Sequence, residues 1–275
     1  MSNVTMKKQT TAVLVGATGG IGWAMAEQMY KHGYNLVLVA RSEQKLNALA
    51  VHLKAMYPKG GHLYERCCDI SDAASQQQLI HYVKTLPQPV NRLINNAGIS
   101  DFSLFEQQSP EKMAQLLSIN AIHPLQLSQH FLRYFSERGE PAEVINVGST
   151  FGSIAYPGFT AYCASKFALR GATEALSREY ADTAIKVRYF APRATQTPLN
   201  SEKVVNLNHA LGNAMDTPEL VAKEFVRFLD GRQTMLHLGW PEKFFVFVNK
   251  LLPNLVSGEL KKALPLIRRY ATQDG

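Results

Sequence analysis

The sequence predicts an α/β fold built on a doubly wound parallel sheet, and three observations carry the prediction. Short β-branched runs alternate with amphipathic stretches from residue 11 to about 230, glycines crowd the turn after the first run, and Ser-Pro and Thr-Pro helix starts recur. The first strand is TAVLV (11 to 15), followed by a helical pattern from Ile21 to His32 and a second strand, YNLVLVA (34 to 40). SEQKLNALAVHLKAMY (42 to 57) has helical spacing, HLYERCC (62 to 68) reads as a strand, and a helix starts near Ser71. RLINN (92 to 96) is the next strand; the long helix after it is entered through Ser109 as N-cap and Pro110 at the first helical position. EVINVGS (143 to 149) and AIKVRYFA (184 to 191) are further strands, and DTPELVAKEFVRFLDG (216 to 231) is a helix entered through Thr-Pro and left through Gly231. Such a succession gives three α/β/α layers, with ligands at the carboxyl ends of the strands.

Composition narrows the function classes. With 275 residues, 46% of them hydrophobic and 19% charged, the chain is globular, and no Pro/Gly/Ser-rich linker or repeat divides it. We expect one domain over residues 1–238 and a C-terminal extension over 239–275. MSNVTMKKQTT lacks the apolar core of a leader, and no run approaches a membrane span, so a cytoplasmic protein is expected. Three cysteines, two of them adjacent at Cys67 and Cys68, fit neither a disulfide framework nor a zinc spacing. The eight histidines are scattered without ligand spacing, and His123 reads as a helix-packing residue, so no metal is assigned. The formal charge of +7 is compatible with an anionic ligand or surface, but no basic block interleaved with aromatics marks a nucleic-acid footprint.

Two motifs carry chemistry. VLVGATGGIGWAMAEQM follows the first strand and opens the first helix, placing Gly16, Gly20 and Gly22 where a phosphate can approach backbone N–H groups and the positive end of the helix dipole. At the end of the second strand stand Ala40 and Arg41; no carboxylate is present to repel a 2′-phosphate, and the Arg41 guanidinium pairs with one in bidentate fashion, which selects NADP(H) over NAD(H). TAYCASKFAL then places Tyr162 and Lys166 four residues apart, on one face of a helix. A neighbouring cation lowers a phenol's pKa, and a tuned Tyr does acid and base work.

The segments VGATGGIG (15 to 22), CDI (68 to 70), INNAGI (94 to 99), SINA (118 to 121), INVGS (145 to 149) and YCASK (162 to 166) occur in the order of the short-chain dehydrogenase/reductase family, which the chain resembles over residues 11 to about 230. The resemblance implies a Rossmann-like sheet and a catalytic tetrad of Asn120, Ser149, Tyr162 and Lys166. In it, Tyr162 passes the proton of a carbonyl/alcohol pair, Ser149 donates a hydrogen bond to the substrate oxygen, Lys166 holds the nicotinamide ribose, and Asn120 holds a water leading to solvent. It also implies cofactor contacts from Gly16, Thr18, Gly19, Gly20, Ile21, Gly22, Arg41, Tyr162 and Lys166. Asp69 and Ile70 are expected beside the adenine, Asn95, Asn96, Ala97 and Gly98 on the adenosine side and in support of the sheet centre, and Pro192, Thr195 and Thr197 beside the nicotinamide and phosphates.

Four stretches depart from the family's pattern. Arg193 follows Pro192 where a glycine is usual, and two readings stay open: an altered turn, or a guanidinium recruited to cofactor phosphate or an acidic substrate. Gly19 stands where many NADP-preferring relatives carry a basic residue, which leaves phosphate selection largely to Arg41. The polar stretch from Thr197 to Met215 lacks clear periodicity and reads as a mobile lid. From residue 238 to 270 the extension pairs Trp240 and a Phe cluster with Lys243, Lys250, Lys261, Lys262, Arg268 and Arg269, against Glu242 and Glu259 alone; packing over the substrate mouth, a dimer contact and peripheral contact with an anionic membrane all fit it.

The expectation is an NADP(H)-dependent oxidoreductase interconverting a carbonyl and a secondary alcohol, with an apolar or lipid-like small-molecule substrate, in a homo-oligomer with a dimer favoured. The alternatives are a 3-oxoacyl-carrier-protein reductase and a nonenzymatic NADP-binding sensor or membrane scaffold.

Overall fold

Alternation along β1 (Thr11–Val15) sets the layers of the molecule, because successive side chains of a strand point to opposite faces. Ala12 and Leu14 join Met25 and Met29 of α1 (Gly20–Lys31) and Phe225 of α8 (Pro218–Asp230) in one core. Val13 and Val15 join Leu79 and Val83 of α3 (Ala73–Thr85) and Leu127, Phe131 and Phe135 of α5 (His123–Arg138) in the other. In this computed structural model residues 10–272 are described; most of the N-terminal stretch read above for a leader lies outside them.

Seven parallel strands make one sheet in the order β3 (Leu63–Cys67), β2 (Asn35–Ala40), β1, β4 (Val90–Asn95), β5 (Ala142–Val147), β6 (Ile185–Ala191) and β7 (Met235–His237). The order reverses between β1 and β4, and at such a switch point a crevice opens beyond the strand ends. α2 (Glu43–Met56) joins the α1 and α8 layer through Leu46, Leu49 and Leu53, and α6 (Thr160–Glu179) lies in the α5 layer through Leu176. The strands and helices expected from periodicity are present within two residues at each end.

Four features differ from expectation. The helix after Ser109 is not uniform: α4 (Pro110–Leu117) runs through a π-type turn at Ser118–Ile122 into α5. Gly231 ends α8 with φ −83° rather than in the left-handed region. The reason is Arg188 of β6, whose fully buried guanidinium donates to the carbonyls of Phe228 and Gly231 and removes the need for a left-handed cap. The stretch taken for a mobile lid contains α7 (Glu202–Ala210), anchored by buried Val204 and Leu207. Two anchors in nine residues give too few turns for periodicity to stand out. β7 is the fourth difference: three half-buried residues carry too little alternation to be seen.

Beyond β7, α9 (Glu242–Leu251) and α10 (Pro253–Thr272) fold back over the carboxyl end of the sheet, with α10 packed against α7.

Candidate active site

The turn between β1 and α1 is shaped by what it cannot hold. Gly16 takes φ +75°, and a Cβ there would lie 2.8 Å from the Ala97 backbone; a Cβ on Gly22 would collide with the Gly16 carbonyl. Close packing brings β1, β4 and α1 together at the switch point, and Asn96 Nδ2 donates to the Gly16 carbonyl at 3.2 Å. Gly19 caps α1 with no side-chain hydrogen bond, so the first N–H groups of the helix stay available to an anion. Thr197 lies against Gly20, where a Cβ would come within 2.7 Å of its methyl group, and so covers the helix start. Thr18 and Ile21 complete the turn, Ile21 facing the cavity described below.

α6 carries Tyr162 and Lys166 on its buried face, and Ser149 leaves the end of β5 beside them. The Lys166 ammonium lies 5.8 Å from the Tyr162 ring centre and donates to the Val147 carbonyl at 3.2 Å. Asn120 sits in the π-type turn, fully buried. Its amide accepts from Ile99 N–H at 2.8 Å, donates to the Ile99 carbonyl at 2.8 Å, and reaches Ser165 Oγ at 3.1 Å. Above Gly98 the gap to the Asn120 oxygen and Lys166 Nζ is so small that a Cβ would meet them at 3.1 and 3.6 Å. The four residues of the expected tetrad thus converge on one spot at the strand tips.

Their protonation differs from what spacing suggests. Burial pushes the Tyr162 phenol up to about 12, opposed by the Ser149 side chain, and pushes the Lys166 ammonium down to about 8. Desolvation acts on both charged forms, so the expectation that the cation holds the phenol below its ordinary value is corrected here.

A cavity of about 670 Å³ opens over Tyr162, Lys166 and Ser149 and extends toward α7, α9 and α10. Its wall near Tyr162 is aromatic: Phe151 stands edge-on to the Tyr162 ring at 6.4 Å and stacks on Tyr156 at 5.0 Å, and Phe159 closes the group. These rings were missed in the sequence, although three aromatics between Ser149 and Tyr162 were a signal within view. Asn96, Gly98, Pro192, Thr195 and Thr197 also face this cavity, while Ala97 supports Gly16 from behind. Arg41, Asp69 and Ile70 lie apart from it, at the carboxyl ends of β2 and β3. Among the described residues the Arg41 side chain makes no hydrogen bond or ion pair, though its charge helps lower the pKa of Asp69, which accepts from Ser71.

Arg193 settles between its two readings in a third way. Its Nε and Nη2 donate to Asp216 at 2.9 and 2.6 Å, and its Nη1 reaches Glu242 at 3.1 Å and the Trp240 carbonyl at 3.3 Å. Both carboxylates raise its pKa. The expectation of a phosphate or acidic-substrate contact is therefore corrected: the guanidinium is committed to pinning the loop after β6 to the starts of α8 and α9. Asp216 is 6% exposed, so Arg193→Ala strands a buried carboxylate and is expected to lower unfolding free energy by about 3 kcal/mol in urea titration while NADPH affinity stays within about two-fold. A ten-fold loss of NADPH affinity would restore the phosphate reading.

His123 bonds Gln126 at 3.1 Å on the helix surface, and among the described residues no three His, Cys, Asp or Glu side chains cluster as metal ligands.

Comparison with known proteins adds the following. The family model for short chain dehydrogenase matches residues 10–208. The chain is 27% identical over 259 residues to the 3alpha-hydroxysteroid dehydrogenase of Mediterraneibacter gnavus, covering 93% of this chain and 95% of the relative. It is 30% identical over 220 residues to the 3-oxoacyl-acyl-carrier-protein reductase of Haemophilus influenzae, covering 77% and 88%. A short-chain dehydrogenase from Sphingobium yanoikuyae, solved in complex with NADPH, superposes with a TM-score of 0.75 at 23% identity over 90% of this chain and 95% of the other.

Proposed function

This chain belongs to the short chain dehydrogenase family, and from that premise we propose that it is an NADP(H)-dependent oxidoreductase that interconverts a carbonyl and a secondary alcohol on an apolar substrate. One observation carries the reading: a buried ammonium and a buried phenol face one cavity, flanked by Ser149 and by a glycine turn with free helix N–H groups. The fit to a dinucleotide rests on those N–H groups, on the space kept open by Gly16 and Gly22, and on the Arg41 guanidinium, whose charge also acts on nearby Asp69. When bound, the nicotinamide supplies or accepts the hydride.

The chain's own residues do the rest. Tyr162, held in its protonated form by burial, donates to the carbonyl oxygen in reduction. Ser149, whose Oγ is oriented by the Phe151 N–H at 3.1 Å, donates where negative charge grows on that oxygen. Lys166 directs its remaining protons at ribose hydroxyls, and its charge favours the phenolate left after transfer. Asn120 is fixed by Ile99 and Ser165 beside Lys166, where by the family resemblance it would hold a water leading from the ammonium to solvent. The aromatic wall and the apolar residues of α7 and α10 exclude water and select an apolar body beside the carbonyl; the hydroxysteroid dehydrogenase relative accords with a substrate of that kind.

Cofactor choice tests the reading most directly. Arg41→Ala is expected to weaken NADPH binding roughly 10- to 100-fold, the loss of one charge-assisted bidentate pair, and to leave NADH binding unchanged, as measured by fluorescence titration. Equal losses for both cofactors would remove the assignment to NADP(H).

A further inference from the structure

The described residues expose large apolar side chains unevenly. Half of those most exposed lie between residues 240 and 255, among them Trp240 at 72%, Phe247 at 59% and Leu251 at 63%. Single exposed apolar residues are ordinary, whereas a contiguous patch marks a surface that meets something. Helical spacing explains the continuity. Phe244, Phe247 and Leu251 occupy positions i, i+3 and i+7 of α9 and form one outward stripe, and Leu252 and Leu255 prolong it around the turn into α10. The opposite side of α9 is anchored by buried Val246 and by Asn249, which donates to the Ser153 carbonyl at 3.1 Å. The helix is therefore held with its apolar stripe turned out.

Charge says what it meets. Lys243 and Lys250, also seven apart, flank one edge of the stripe, and Lys261, Arg268 and Arg269 continue the basic surface along α10. None of these five forms an ion pair among the described residues, while the carboxylates of α9 and α10 are both engaged, Glu242 with Arg193 and Glu259 with Lys262. An apolar stripe bordered by free cations matches a lipid surface with anionic headgroups, into which Trp and Phe insert while Lys reaches the phosphates. A second copy of the chain fits less well, since a two-fold contact through this face would set the same lysines against each other.

We propose that the outer face of α9 and the turn into α10 docks peripherally on an anionic membrane. Trp240 and Phe245 belong both to this surface and to the cavity wall, so docking sets the cavity mouth against the lipid. No helix of the described residues is long and apolar enough to cross a membrane, in keeping with a surface contact.

Sedimentation with phosphatidylcholine vesicles containing about one-third phosphatidylserine tests the docking without substrate or cofactor, and so independently of the proposed reaction. The full chain is expected to pellet with these vesicles at low salt and at least ten-fold less with phosphatidylcholine alone. The triple variant Phe244→Ser, Phe247→Ser, Leu251→Ser is expected to lose pelleting ten-fold or more. Lys243→Glu with Lys250→Glu, which leaves the apolar stripe intact, is expected to lose a comparable factor on the anionic vesicles, with an unchanged circular dichroism melt for a folded control. Two results overturn the proposal: a full chain that stays in the supernatant at low salt, or a dimer in sedimentation velocity that the triple Ser variant converts to monomer.

Discussion

Tyr162→Phe is expected to lower kcat for carbonyl reduction by roughly 10³-fold, the scale of a lost general acid, with NADPH affinity kept within about three-fold. The substitution removes one oxygen. The ring remains edge-on to Phe151 and Phe159, and Ser149 keeps its hydrogen bond from the Phe151 N–H, so neither the aromatic wall nor the turn after β5 has reason to move. The buried hydroxyl is also the group whose proton burial retains, with a pKa of about 12, which suits it to give a proton at neutral pH. Single-turnover measurement on a ketone panel checks the result. Turnover within ten-fold of the parent would mean that the proton comes from elsewhere, and the mechanism above would fall with it.

Lys166→Met is expected to abolish turnover and, at pH 7, to make the protein more stable. The lysine is 5% exposed and its pKa falls from 10.5 to about 8 on folding, a differential of about 3 kcal/mol against the charged form. Losing the bond to the Val147 carbonyl offsets about 1 kcal/mol of the gain, so Tm rises by roughly 5 °C in a chain of this length. The direction with pH is fixed. Between about 8 and 10.5 the unfolded chain holds a proton that the folded lysine has released, so this lysine destabilises fully below pH 8 and its penalty fades as pH rises to 10.5. The advantage of Lys166→Met therefore shrinks in melts at pH 9.5. A variant less stable than the parent at pH 7 would show that the ammonium is better solvated than its burial implies. Such a trade, a charge kept where it weakens the fold because the chemistry uses it, is the pattern expected at a catalytic centre.

Much of this was readable before any coordinates. The sheet was legible because parallel strands buried on both faces need continuous β-branched runs, as in NLVLVA, and the glycine turn because strand, glycines and helix follow one another directly. That Asn120, Ser149, Tyr162 and Lys166 come together at the strand tips was legible because they sit in short motifs whose order is informative. What escaped was whatever depends on partners remote in the chain. Nothing near Arg193 shows that Asp216 and Glu242 will occupy it, and nothing in AIKVRYFA marks Arg188 as the cap of a helix that begins thirty residues later. The protonation of the Tyr162 and Lys166 pair was misjudged for the same reason: spacing gives their proximity, but burial is a property of the whole assembly. α7 was hidden by its brevity.

The Arg193 clamp also orders events during synthesis. Its partners come late in the chain, Asp216 after six of the strands and Glu242 after all seven, so a nascent chain can pair its first six strands while the guanidinium still lacks both carboxylates. Until α9 and α10 are in place, the crevice has its glycine turn but lacks the wall that these two helices supply.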